Sequence, residues 1–160
     1  MSLESVRAFL AIRAPDIAIV ELDGSTATVA LAAAGHGVEP AQIAKTLSLR
    51  VRDRNLLVVT SGEARLDNKK AKAVFGGKPR MLTTEEVVAL TGHPVGGVCP
   101  FGLATPLPVY LDVSLRDFDL VYPAAGSLTS SVEVAPDRLF ALVGKKWVDL
   151  CTLPVSEEPE

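Results

Sequence analysis

Two periodicities alternate along the chain. Leu3, Val6, Phe9 and Leu10 recur at helical spacing behind Ser2 and Glu4, which predicts a first helix over residues 2–13. Residues 17–22 form a β-rich run that ends on the Asp23-Gly24 turn pair. An alanine-rich helix is expected next, capped by Ser25 or Thr26 and stopped by Gly35. Pro40 then opens a short helix leading into Lys45. Over residues 46–54 the period drops to two, with Leu47, Leu49 and Val51 on one face and Ser48, Arg50 and Arg52 on the other. That is a half-buried strand with an arginine edge, and residues 56–60 supply its hairpin partner, ended by Ser61-Gly62.

Further on, Asp67 or Asn68 caps a basic helix that closes at Gly76-Gly77. Thr83 and Glu86 form a capping box ahead of Val87, Val88 and Leu90, and Gly92 stops that helix. Residues 93–108 hold three glycines and four prolines in sixteen positions, a composition no regular element tolerates. A loop of that length inside a compact domain is usually functional. Strands are expected over residues 109–112, 120–122, 131–134 and 146–149, a short helix after Pro136, and a frayed acidic tail over residues 154–160. The pattern predicts one domain over residues 1–160, of mixed α/β or α+β class, with a mixed sheet and helices packed around it.

Composition narrows the field. The 160 residues are 48% hydrophobic and 22% charged with a mean hydropathy of +0.30, which excludes a disordered chain. Two cysteines, Cys99 and Cys151, make no disulfide framework and suit a reducing compartment. The first five residues lack a signal peptide's basic start, and runs such as 29–34 fall far short of a membrane span. A soluble cytoplasmic domain without a membrane partner is the expectation. The net charge of −3 hides an asymmetry. Residues 45–80 carry ten basic side chains against three acids, or +7, while the other 124 residues carry six against sixteen, or −10. Such a middle segment suits an anionic partner or, more plainly, a solvated basic face.

Most catalytic signatures are missing. The chain has no Gly-x-Gly-x-x-Gly, no phosphate-binding Gly-x-x-x-x-Gly-Lys, no Cys-x-x-Cys and no Gly-x-Ser-x-Gly. His36 and His93 lie 57 residues apart without ligand spacing, so neither metal nor cofactor is expected. Cys99 is the one plausible nucleophile, with the plain alternative that a small residue fits a tight loop.

Three short motifs, in this order and spacing, resemble the YbaK/ProX family, which includes the editing domain inserted in bacterial prolyl-tRNA synthetases. They are Gly37-Val38-Glu39-Pro40-Ala41-Gln42-Ile43-Ala44-Lys45-Thr46-Leu47, Gly96-Gly97-Val98-Cys99-Pro100-Phe101-Gly102, and Gly126-Ser127 ahead of Ser131-Val132-Glu133-Val134. The resemblance spans residues 20–150 and implies a partly barrel-like mixed sheet and a hydrolase that clears a wrong amino acid from the 3′ end of a tRNA. It implies that Lys45 is the catalytic cation and that the stretch from Gly96 to Pro100 cradles the aminoacyl end. Gly96 and Gly97 then offer backbone N–H groups to the ester oxygen, and Thr46, Val98, Cys99, Pro100, Phe101, Gly102, Gly126 and Ser127 line the amino-acid pocket. The plain alternatives are a helix-terminal cation for Lys45 and turn glycines for the rest.

An aminoacyl ester is already activated, so a positioned water, oxyanion stabilisation and the substrate's own ribose hydroxyl suffice without a side-chain base. The expected partners are the acceptor end of a mischarged tRNA, for proline, and prolyl-tRNA synthetase, with the chain a monomer or homodimer. Arg50, Arg52 and Arg54 on one strand face, with Lys69, Lys70 and Lys72 on the next helix, are expected to receive the tRNA backbone. Thr46 after Lys45 matches the cysteine-clearing branch, whereas residues 101–106 look closer to the free-standing ProX branch, so the amino acid stays open. A non-catalytic module binding an acceptor end or nucleotide, and a cysteine hydrolase using Cys99, are the competing readings.

Overall fold

The computed structural model describes residues 2–153. In chain order the elements are α1 (Ser2–Arg13), β1 (Ile19–Glu21), α2 (Val29–His36), β2 (Ile43–Val51), β3 (Arg54–Ser61), β4 (Arg65–Leu66), α3 (Asn68–Phe75), β5 (Pro79–Met81), α4 (Thr84–Thr91), β6 (Val109–Asp112), β7 (Tyr122–Pro123), β8 (Ser130–Val132), α5 (Pro136–Val143), β9 (Lys146–Val148) and β10 (Cys151–Thr152). The acidic residues 154–160, expected to fray, lie outside the described residues.

The β2–β3 hairpin is the centre of the mixed sheet. Its register pairs Lys45 with Thr60, Leu47 with Val58 and Leu49 with Leu56. Because side chains alternate across a strand, Leu47, Leu49, Val51, Leu56 and Val58 form one face, packed with Ala71 and Phe75 of α3 and with Tyr110 and Leu150. Ala44, Leu57 and Val59 form the other, packed into the larger core with Val6 and Leu10 of α1 and Leu139 of α5. Both faces are therefore covered. β6 runs parallel to β3, and β9 parallel to β6.

The opposite edge of β2 is shared. β5 pairs antiparallel with Leu49–Val51, and β7 pairs parallel with Ile43 and Ala44. Bridges between Ala124 and Ser131 and between Val121 and Val134 carry the β7 segment on to β8, which pairs with β1.

Three local expectations are corrected. α2 is capped by Thr28, whose side chain accepts from Leu31 N–H, and ends at Gly37 with φ of 69°, so Thr26 and Gly35 are not its boundaries. The helix expected from Pro40 to Lys45 is a single 3₁₀ turn over Pro40–Gln42, closed by a Glu39–Gln42 capping box. Pairing with β7 takes Ile43 and Ala44 into β2, Ala44 pairing also with Ser61 of β3, which puts Lys45 inside a strand rather than at a helix end. Finally, β2 stops at Val51, and Arg52, at φ of 58°, turns the chain back into β3. Arg50, Arg52 and Arg54 thus occupy a strand, a turn and the next strand, not one face.

The glycine- and proline-rich loop is pinned rather than loose. His93 is fully buried; its Nδ1 meets the Ser2 hydroxyl of α1 and its Nε2 lies 2.8 Å from Phe101 O. Among the described residues no helix is long and apolar enough to cross a membrane.

Candidate functional site

A cavity of about 310 Å³ opens where β5 and β7 part from β2. Between the stretches those two strands pair, residues 45–47 have no strand partner on that edge among the described residues. Ser48 O accepts from Leu82 N–H at 3.0 Å on the β5 side. Backbone groups alternate along a strand, so Thr46 directs its N–H and C=O to the same edge, into the fork. The loop before α2, with that helix's first turn (Thr26, Ala27, Thr28, Val29), forms a second wall. Val95, Gly96 and Val98 form a third, while Met81, Leu82 and Val87 close the β5–α4 side and Tyr122 the β7 side.

Lys45 is the one charged residue among those lining the cavity; no Asp, Glu, His or Cys is among them. Its ammonium donates to Ala64 O at 2.7 Å. Burial is the largest influence on it and lowers its pKa from 10.5; Cys151 opposes that shift and the nearby Arg65 cation adds to it. Thr26 and Thr46 also line the cavity, and neither hydroxyl has a hydrogen-bond partner. An orphaned buried hydroxyl costs about 1–3 kcal/mol, so both invite a ligand or water.

The glycine loop divides between wall and packing. Gly96, at φ of 96°, lines the cavity, and a Cβ there would lie 2.8 Å from Leu128 and 3.0 Å from Ala27. Gly97 is packed on the next loop: a Cβ would lie 2.8 Å from Ser127 N, and Gly126 N–H donates to Gly97 O at 3.0 Å. Gly97 N–H itself closes a turn on Pro94 O at 2.9 Å, which removes it as a donor to a ligand. The N–H groups of Gly96 and Val98 have no acceptor among the described residues. Gly126 and Ser127 thus support this loop rather than line the cavity, with Ser127 Oγ bonded to Ser130 Oγ at 2.6 Å.

Cys99, Pro100, Phe101 and Gly102 are not brought to the cavity either. Cys99 and Phe101 are fully buried in the core, and a Cβ on Gly102 would lie 2.5 Å from Ser5 O in α1. Burial pushes the Cys99 thiol up to about 12. A nucleophile needs a reachable thiolate, and this residue offers neither access nor charge, so the cysteine-hydrolase reading falls.

Four of the six cations expected to meet an anion are already occupied. Arg50 pairs with Glu86 at 2.5 Å and Asn55 at 2.9 Å, Arg52 grips Gly76 O at 2.7 and 3.0 Å, and Arg54 donates to Phe75 O at 3.1 Å. Lys70 holds Asp149 at 3.0 Å and Cys151 O at 2.9 Å. Guanidinium groups satisfying the last carbonyls of α3 stabilise a helix C-terminus, a use that charge counting does not distinguish from ligand binding. Lys69 and Lys72 are exposed.

Sequence reading missed Thr26, taken for a cap, along with Met81, Val95 and Tyr122. Thr26 carried an N-cap signal that Thr28 won two residues later; nothing in the pattern marked the other three.

A mixed sheet whose central strand forks around a small cavity, lined by one lysine, several hydroxyl residues and no Asp, Glu, His or Cys, defines an α+β domain with a partly polar site. The chain belongs to the aminoacyl-tRNA editing domain family, whose model matches residues 23–142. It is 46% identical over 153 residues to the uncharacterized protein YwhH of Bacillus subtilis, covering 94% of this chain and 98% of that one. It is 30% identical over 118 residues to the "Putative Cys-tRNA(Pro)/Cys-tRNA(Cys) deacylase EbsC" of Enterococcus faecalis, covering 72% of each. A crystal structure described as "a putative trans-editing enzyme for prolyl tRNA synthetase" superposes with a TM-score of 0.88 at 39% identity, over 94% of this chain and 97% of that one.

Proposed function

We propose that this chain is a trans-acting deacylase that hydrolyses the ester between a small non-cognate amino acid and the 3′ end of a tRNA, with tRNA for proline as its target. The observation that carries the reading is the make-up of the cavity's lining: one lysine, and no carboxylate, imidazole or thiol to act as base or nucleophile. A site so equipped suits a substrate that brings its own activation. The aminoacyl ester does, and its ribose hydroxyl lies beside the carbonyl to orient the attacking water. Lys45 supplies positive charge for the terminal phosphate or the developing oxyanion, and the N–H groups of Gly96 and Val98 are the loop's donors for that oxyanion. At ~30 Å³ per water, the cavity holds on the order of ten waters, enough for a small aminoacyl group with the rest of the tRNA outside.

The names of the deacylase and trans-editing relatives support tRNA for proline as the target and prolyl-tRNA synthetase as the source of mischarged product. Translation places such an enzyme in the cytoplasm. The test is release of amino acid from alanyl-, seryl-, cysteinyl- and prolyl-tRNA for proline. At least one small non-cognate ester is expected to be cleaved at ten times the uncatalysed rate or more, with prolyl-tRNA spared. Tight binding of these tRNAs without turnover would replace the deacylase with a binding module. Cleavage of prolyl-tRNA at the same rate would remove the editing role.

A further inference from the structure

Among the described residues, three buried side-chain polar atoms have no hydrogen-bond partner: Thr26 Oγ1, His36 Nε2 and Thr46 Oγ1. Two of the three belong to residues lining the same cavity, from different walls. Thr26 precedes α2, is 5% exposed, and is fixed by its backbone N–H on Leu128 O at 2.6 Å. Thr46 stands on the unpaired edge of β2. The lining also carries apolar Val29, Ala32 and Ile43 and polar Thr28, Lys45, Ser48, Tyr122 and Ser131. Of the hydroxyls on that lining, these two are the buried ones left without a partner, and they are matched by a neutral ligand group that both donates and accepts. A methyl group leaves both unmatched, a proline ring has no polar side-chain atom, and a thiol is a weak partner in either sense.

We infer that the preferred substrates carry a side-chain hydroxyl, seryl and threonyl esters, recognised by the hydroxyls of Thr26 and Thr46. The assignment rests on the deacylase reading above and adds its substrate class. A ligand side-chain hydroxyl can donate to one and accept from the other, whereas an alanyl side chain offers neither, an asymmetry that sites of this kind turn into large selectivity.

The test compares kcat/KM for seryl- and alanyl-tRNA for proline in the native chain and in Thr26→Val and Thr46→Val, which remove each hydroxyl at nearly constant volume. The native chain is expected to favour the seryl ester at least tenfold, and each valine variant to lower that seryl-to-alanyl ratio at least tenfold. Thr26→Ser and Thr46→Ser, which restore the hydroxyl, should keep the ratio. A native ratio near one, or valine variants that slow both esters equally, would overturn the assignment while leaving the deacylase intact. The native measurement needs no variant to fold. A chain that cleaves none of the esters overturns the deacylase reading and this assignment with it.

Discussion

Lys45→Met separates catalysis from folding more cleanly than Lys45→Ala, because it keeps the aliphatic stem against the sheet and removes only the ammonium. Two quantities change. The first is transition-state stabilisation: a cation about 4 Å from a unit anion is worth about 4 kcal/mol at an effective dielectric constant near 20. Removing one preorganised stabiliser typically costs about 100- to 1,000-fold in rate. The second is stability, since Ala64 O loses its 2.7 Å partner. Lys45 is only half-buried, so water reaches part of the vacated space, and the cost falls near the lower end of the ~1–3 kcal/mol for an unsatisfied group. For a chain of this size that lowers Tm by about 2–4 °C, leaving the protein folded at 25 °C. Single-turnover deacylation of the best mischarged tRNA, alongside a thermal melt, reads both.

The pH profile adds an independent check. Burial lowers the folded-state pKa of Lys45 from 10.5, so its cation is lost earlier on raising the pH than an exposed lysine's would be. Enzymatic rate above the hydroxide background should therefore decline at high pH in the native chain, and Lys45→Met should lack that decline. Stability moves the other way. The unfolded lysine keeps its proton up to the ordinary value, so native stability rises with pH between the lowered folded value and 10.5, a rise Lys45→Met should lack. A Lys45→Met rate within threefold of the native chain, with the small Tm loss as stated, would refute the catalytic role.

Cys99→Ala should keep activity within threefold and cost about 1–2 kcal/mol from a small core void, read by turnover and melting; a folded but inactive variant would restore the cysteine nucleophile. Gly97→Ala forces a methyl to within 2.8–3.0 Å of the Ser127 backbone and should lower both Tm and kcat by displacing Gly96 and Val98; an unchanged melt with full activity would show that loop contact to be slack. Lys69→Glu with Lys72→Glu should weaken tRNA binding and flatten its salt dependence by roughly 0.7–0.9 in log–log slope per lost phosphate contact, while a short aminoacyl-nucleotide is cleaved as before. An unchanged slope would make that helix face merely solvated.

The faces of the fold were legible in the sequence. Alternation over residues 46–54 located the hairpin strand, though not its start at Ile43 or its end at Val51; the Thr83–Glu86 box located α4 to the residue, and the motif around Lys45 led to the strand that walls the cavity. Edges were not legible, and the site is an edge. Hydrophobic periodicity reports which side of a strand meets a core, but says nothing of which strands flank it. The fork depends on β5 and β7, separated in sequence by some forty residues and in space by the unpaired backbone of residues 45–47. The same blindness explains the arginines. A run of alternating basic residues reads as one charged strand face, yet a left-handed turn at Arg52 breaks the run. The groups that take up Arg52 and Arg54 are backbone carbonyls, which every sequence has and no charge count records. Thr26 failed to stand out for a related reason: a threonine before a helix satisfies the capping rule whether or not it caps. Only the position of Thr28, already bonded to Leu31 N–H, leaves the Thr26 hydroxyl without that use and open to a ligand instead.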